Sequence, residues 1–498
     1  MLSHSSSDLQ ISQKPKPFTF FAPFQSQFSA HPRFWLFTAF VFAQILIIFL
    51  TRNSPHSHVH HFPSETISIP ATSCAPAAVP TAAPPPEGGG CEFGRVFVYD
   101  LPPVFNRDLI PRNLTDLDPW NWQSGLNIND GLGKRTRALA EILPMNIATA
   151  WYQTNQFSSE VIYHRRILNY RCRTTEPESA TAFYIPFYAG LAVGKYLWVD
   201  DIERRDRLCM MMLRWVQNQT YWKKSNGSDH FLTIGRITWD FRRLADAGKK
   251  WGSALLNLPE MEKVTRFTIE RASWDDYDVG VPYPTGFHPS TELQLRQWQR
   301  FVLSHERSRL FSFVGASRAD LDGDFRTHLI RYCQNQSDSC RVVDCSVTQC
   351  ATRPSLVQRA FLSSDFCLQP KGDSSTRRSV FDCMIAGSVP VFFWEKTAYE
   401  QYRLFLPEEP ESYSVFIDHE KVTDGSASIR GILEKYSKEK IKKMREKVVE
   451  TIPRLIYART KKGLGNVKDA FDVAVEGAMK RIKEDKEWNE FVDEIESR

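Results

Sequence analysis

Between Gln369 and Asp382 the chain gathers side chains suited to holding a negatively charged group. Lys371, Arg377 and Arg378 lie close to Gly372, Asp373, Ser374, Ser375 and Thr376, just ahead of Val380, Phe381, Met384 and Ile385 at helical spacing. Cations at a helix start oppose the macrodipole, at a few tenths of a kcal/mol each, unless an anion sits there. Backbone N–H groups, a glycine turn and three positive side chains together make a cradle for a diphosphate. Asp382 follows Arg378 by one turn and is placed to accept from the hydroxyls of an attached ribose. The same spacing fits a plain i,i+4 ion pair, so both readings stand. A second turn, Gly315 to Arg318 after LFSFV, offers another phosphate contact or simply a tight turn with a solvated arginine.

Chemistry at a hydroxyl needs a carboxylate or imidazole to take its proton. Asp240, Asp275, Asp276 and His230 stand at the ends of strand-like runs and are the candidates. Ten of the thirteen tryptophans fall between Trp120 and Trp298. Most belong in a core, and the rest suit platforms for sugar rings, which present apolar C–H faces. DLDGD at Asp320–Asp324 lacks the glycine and closing glutamate of a calcium loop, and its acids fit the start of the next helix. No metal is expected there, nor from His56, His58, His60 and His61.

These residues need a scaffold. FCLQPKGDSSTRRSVFDCMIAGSVPVFF reads as strand, loop, helix and strand, a βαβ unit whose ligands bind beyond the strands' carboxyl ends. RVFVYDL, FYIPF, DHFLTIGRI and VTRFTIE read as earlier strands, with helices expected around Lys134–Leu143, Gln156–Tyr170, Asp200–Gln219 and Thr291–Glu306. LFSFVGASR and RVVDC open a second series, with helices at Asp324–Gln334 and near Ser355–Ser363. Alternating strands and helices in two blocks predict two doubly wound α/β domains, 91–305 and 306–498, facing a cleft.

Ahead of them, 1–33 reads as a disordered tail. Phe34–Leu50 is an uncharged apolar run rising about 25 Å, slightly short of a ~30 Å hydrocarbon core. Lys14, Lys16 and Arg33 precede it and predict a signal anchor with a cytosolic N-terminus. Residues 51–90, rich in Pro, Ala and Ser, read as a lumenal stem. A short span suits an early secretory membrane. Sequons at Asn113, Asn218, Asn226 and Asn335 agree with a lumenal location. So do ten cysteines, whose cluster at Cys333, Cys340, Cys345 and Cys350 matches no zinc spacing. A net charge of +5 on 498 residues gives no reason to expect a nucleic-acid partner.

RVFVYDLP, FYIPFYAGLAVGKYLW, DHFLTIGRITWDFRR, VPYPTGFHP, LFSFVGASR, the βαβ stretch and IPRLIYA occur in this order. Over about 91–476 the chain resembles the exostosin-like glycosyltransferases of family 47, most closely the plant xyloglucan galactosyltransferases. The resemblance implies a GT-B fold and a single-pass type II Golgi membrane protein, able to associate with other Golgi transferases. It implies inverting transfer of galactose from UDP-galactose to O2 of xylosyl side chains of xyloglucan. It also implies a departing diphosphate met by cations rather than a metal. By the same resemblance Asp382 holds the ribose, and Asp240, in the motif WDF, is the preferred base. Arg377 and Arg378 are each expected to strengthen UDP binding if they contact phosphate, and which of the two reaches it stays open. Two alternatives remain open: a sister enzyme using UDP-galacturonic acid or an arabinose donor, and a non-catalytic glycan-binding Golgi scaffold.

Overall fold

Short β-branched runs separated by helical patterns fold into the expected mixed α/β architecture. The computed structural model describes residues 90–110, 125–197, 201–244, 251–318 and 324–496. The tail, the apolar span, nearly all of the stem, Asn113 and residues 320–323 lie outside the described residues. Among the described residues no helix is long and apolar enough to cross a membrane.

The strands are β1 (Val96–Val98), β2 (Lys134–Arg135), β3 (Tyr152–Gln153), β4 (Arg173–Thr174), β5 (Ala182–Ile185), β6 (His230–Ile237), β7 (Thr265–Glu270), β8 (Asp278–Gly280), β9 (Arg309–Gly315), β10 (Cys340–Asp344), β11 (Ser364–Gln369), β12 (Val389–Phe392) and β13 (Val415–Phe416). One parallel sheet has the order β4-β1-β5-β6-β7-β8 and another the order β10-β9-β11-β12-β13. Both β5 and β7 are covered on both faces: every residue of each is buried, including the polar Thr265, Arg266, Thr268 and Glu270 of β7.

The helices used below are α1 (Ser159–Ile167), α2 (Ala189–Gly194), α3 (Ile202–Gln217), α4 (Glu292–Ser304), α5 (Phe325–Asn335), α6 (Pro354–Leu362), α7 (Ser379–Ile385), α8 (Lys438–Thr451) and α9 (Ala470–Glu496). Side chains of Asp201, Thr291, Asp324 and Ser437 accept from backbone N–H groups in the first turns of α3, α4, α5 and α8. Each such cap contributes about 1 kcal/mol. Asp324 of the acidic run is thus a helix cap.

The helix expected around Lys134–Leu143 is absent. Lys134 and Arg135 pair antiparallel with Gln153 and Tyr152, and only a 3-10 turn, Ala138–Glu141, follows. The Thr136 N–H donates to Trp151 O at 3.0 Å, so cross-strand bonding outcompetes local helical pattern.

Four disulfides join Cys91–Cys172, Cys333–Cys340, Cys345–Cys350 and Cys367–Cys383. The clustered cysteines therefore pair with each other, and the last bridge ties β11 to α7.

One apolar cluster draws on both sheets. Tyr163, Phe267 and Tyr283 from earlier in the chain pack with Val380, Phe381, Met384, Phe392 and Tyr402 from later. The chain end also returns to the first sheet. Phe471 of α9 packs on Tyr163 and Tyr170, with ring centroids 5.4 and 5.8 Å apart. Beside it, the buried Arg166 pairs with Asp469, and with Asp472 at 3.2 Å.

Candidate active site

The carboxyl ends of β9 and β11 carry the anion cradle. From Gln369 the chain turns through Gly372, where a Cβ would sit 2.4 Å from Thr376 O, so the loop can close only with glycine there. That closure delivers Arg377 to the end of β9. Its guanidinium lies 5.7 Å from the Phe313 ring centroid and donates from Nη2 to Val314 O at 2.9 Å. Gly315 makes room for it, since a Cβ there would stand 2.9 Å from Nη2. The Arg377 Nη1 is buried and has no hydrogen-bond partner among the described residues. Burial, with Arg326 nearby, pushes the Arg377 pKa down to about 10, although Asp373 and Tyr283 oppose the change. Among the described residues no carboxylate forms an ion pair with it.

The neighbouring charges divide the work. Asp373 is exposed and pairs with Arg318 and with Arg326, the latter at 3.1 Å. Lys371 is exposed, its Nζ 5.2 Å from the Trp394 ring centroid. Arg378 turns elsewhere. Its Nη1 donates to Thr154 O at 2.6 Å and its Nε to Asp382 Oδ2 at 3.2 Å. The structure separates the two arginines: Arg378 is held by a carbonyl and a carboxylate, and of the pair only Arg377 carries a buried N–H without a partner among the described residues. Successive residues around a helix start point about 100° apart, which separates them. Asp382 and Arg378 do form the i,i+4 pair, and burial raises the Asp382 pKa while Arg378 opposes it.

Facing this loop is the carboxyl end of the first sheet. Glu270, the last residue of β7, is 7% exposed and accepts from Ser374 Oγ at 2.6 Å, Thr376 N at 3.0 Å and Ser375 N at 3.3 Å. Thr376 Oγ1 accepts from Tyr402 OH at 3.2 Å. Asp240 lies in the 3-10 turn after β6, buried, with Oδ2 accepting from Arg236 Nε at 2.6 Å and Oδ1 from Trp251 Nε1 at 2.8 Å. That geometry makes it an anchor for Arg236. Glu160 of α1 accepts from the N–H groups of Gly190 and Leu191, and burial raises its pKa to about 8 against those bonds and Arg236.

Two proposed bases are misplaced. His230 opens β6, so it occupies the amino end of the sheet, away from the donor loop. It is fully buried, stacked on Tyr99 and Phe183, and hydrogen-bonded to Tyr99 OH at 2.8 Å. It is a core histidine. Asp276 is 94% exposed, its carboxylate 3.6 Å from Arg271 and its backbone carbonyl accepting from Arg481 Nη1 at 2.7 Å; Asp275 is bound by Arg242 and Arg266. Glu270, Glu160 and Arg326 escaped sequence reasoning. The one signal for Glu270 was a carboxylate closing a strand-like run, TRFTIE.

Trp239 is 56% exposed and Trp274 73% exposed, in the segments following β6 and β7. Arg242 links them: its N–H donates to Trp239 O at 3.3 Å, and its guanidinium lies 6.0 Å from the Trp274 ring centroid. The sequon residues Asn218, Asn226 and Asn335 are all exposed.

A family model described as the Exostosin GT47 domain matches residues 90–433. The chain is 50% identical over 471 residues to the xyloglucan galactosyltransferase XLT2 of Arabidopsis thaliana, an alignment covering 91% of this chain and 89% of that protein. It is 39% identical over 393 residues to xyloglucan galactosyltransferase MUR3 of Arabidopsis thaliana, covering 79% and 63% of the two chains. To xyloglucan-specific galacturonosyltransferase 1 of Arabidopsis thaliana it is 36% identical over 397 residues, covering 79% and 58%.

Proposed function

The chain belongs to the exostosin GT47 family, and from that premise we propose that it is a xyloglucan galactosyltransferase. It moves galactose from UDP-galactose to O2 of xylosyl side chains, inverting the anomeric carbon in one displacement. The two parallel sheets, their carboxyl ends turned to one another, fit a GT-B arrangement with 91–305 on the acceptor side and 306–498 on the donor side. The observation that carries the reading is Arg377 Nη1, a buried guanidinium N–H without a partner among the described residues, beside a glycine that keeps the space open. A diphosphate oxygen completes it with a charge-assisted hydrogen bond. The charge that develops on the departing UDP is then met by a fixed cation, which is the electrostatic stabilisation such a displacement needs. Arg326 and Arg318, held by Asp373, and Lys371 add positive charge, so the reading requires no metal.

Trp239 and Trp274 supply the acceptor side with amphipathic rings suited to sugar faces. In the cell the protein is a Golgi type II enzyme, anchored by 34–50 and carrying glycans on its exposed sequons. The relation to XLT2 favours galactose as the donor sugar.

The test is full-length protein in detergent with UDP-galactose and a xylosylated glucan oligosaccharide. Galactose transfer supports the reading. Transfer only from UDP-galacturonic acid or an arabinose donor replaces the donor. Glycan binding without turnover identifies a scaffold.

A further inference from the structure

Glu270 stands where the two sheets meet, and the transfer chemistry above leaves it without a role. Its Oε2 accepts two hydrogen bonds, from Ser374 Oγ and Thr376 N. Its Oε1 accepts one among the described residues, from Ser375 N at 3.3 Å. A carboxylate oxygen has two lone-pair positions, so Oε1 keeps one open. All three donors are neutral. Asp240 instead lies against the Arg236 guanidinium, with Trp251 on its other oxygen. A carboxylate held by neutral donors retains more basicity than one clamped to a cation.

We propose that Glu270 is the general base of the transfer, its open Oε1 position taking the proton of the acceptor hydroxyl while Ser374–Thr376 hold base and donor in register. This rests on the sugar-transfer reading. In the step, the acceptor oxygen forms its bond to the anomeric carbon as its proton passes to Glu270. The bond from that carbon to the β-phosphate oxygen breaks, and UDP leaves with the electron pair toward Arg377.

The surroundings suit a base. Burial raises the Glu270 pKa, the three hydrogen bonds lower it, and Asp240 raises it again. Tyr283, from the loop after β8, is within electrostatic reach of Glu270, Arg236, Asp240 and Asp373. Tyr402, after β12, faces Glu270 too. A carboxylate whose basicity is raised above the ordinary range is what proton abstraction calls for.

The experiment compares full-length wild type, E270Q, E270D and S374A, measuring kcat against pH and UDP affinity by calorimetry. E270Q is expected to lower kcat by about 10²–10⁴-fold, with UDP affinity within about threefold of wild type. E270D keeps an acid limb at a reduced rate. S374A lowers kcat less than about tenfold and moves the acid limb to higher pH, because it removes a hydrogen bond that favours the charged carboxylate. E270Q activity within about tenfold of wild type, or an acid limb that S374A leaves in place, overturns the proposal and makes Glu270 a latch on the donor loop. If E270Q does not fold, the S374A limb decides. The variants are compared with whichever UDP-sugar wild type transfers, so a wrong donor sugar sinks that assignment and leaves the base to be read. No turnover with any UDP-sugar sinks both.

Discussion

Replacing Arg377 with alanine should separate folding from binding, with opposite signs. The guanidinium is held in the fold by one carbonyl, Val314 O, and by contact with Phe313. Those contacts stabilise by roughly 1–2 kcal/mol together. Against them stands the cost of a buried cation whose pKa falls from 12.5 to about 10. At 1.36 kcal/mol per pKa unit, that is about 3 kcal/mol, an upper figure. Arg377→Ala therefore should leave unfolding free energy unchanged or raise it by about 1–2 kcal/mol. UDP binding should move the other way. Loss of a charge-assisted hydrogen bond to phosphate costs about 1.5–3 kcal/mol, an affinity drop of roughly 10–150-fold. Urea unfolding and calorimetric titration with UDP read the two effects on one preparation. A variant that loses stability but binds UDP within about threefold of wild type would place Arg377 among structural residues and refute the cradle.

Arg378→Ala should do the reverse: losing its bonds to Thr154 O and Asp382 costs about 2 kcal/mol in urea unfolding, while UDP affinity changes little. Glu160 has a folded pKa of about 8 against an ordinary 4.5, so its contribution to stability is full below about pH 4.5 and is lost as pH rises through 8. Thermal melts of wild type and Glu160→Gln should therefore diverge between about pH 5 and 8, the glutamine variant gaining with pH; parallel curves would contradict the burial argument. Trp239→Ala and Trp274→Ala should each raise the acceptor KM about five- to tenfold, from about 1–1.5 kcal/mol of ring contact, with UDP affinity unaltered. An acceptor KM that stays put in both would remove the platform.

The βαβ unit was legible because everything that makes it is local. Apolar runs of strand length, a glycine loop and four apolar residues at helical spacing predict β11, α7 and β12 with no knowledge of the rest. The cation conflict at that loop was legible too, but its resolution was not. Whether Arg377 or Arg378 meets an anion depends on a rotation of about 100° and on what lies opposite, which are Gly315 and Thr154. Glu270 escaped for a stronger reason. Its partners lie 104 to 106 residues further on, and no pattern within TRFTIE announces them. His230 is a different lesson. Parallel strands put their first residues at one end of the sheet and their last at the other, so a histidine opening β6 could have been set aside from sequence alone.

Because α9 packs against the first domain, that domain stays unfinished until residues 470–482 have been made. Tyr163 and Tyr170 are made early and wait about three hundred residues for Phe471 to arrive, with Arg166 equally short of Asp469 until then. A chain emerging from the ribosome therefore carries an open apolar seam over the roughly three hundred residues between Tyr163 and Phe471, the kind of surface on which incomplete chains associate. A nonsense codon just before residue 469 would leave Tyr163, Tyr170 and Arg166 without the partners that close over them.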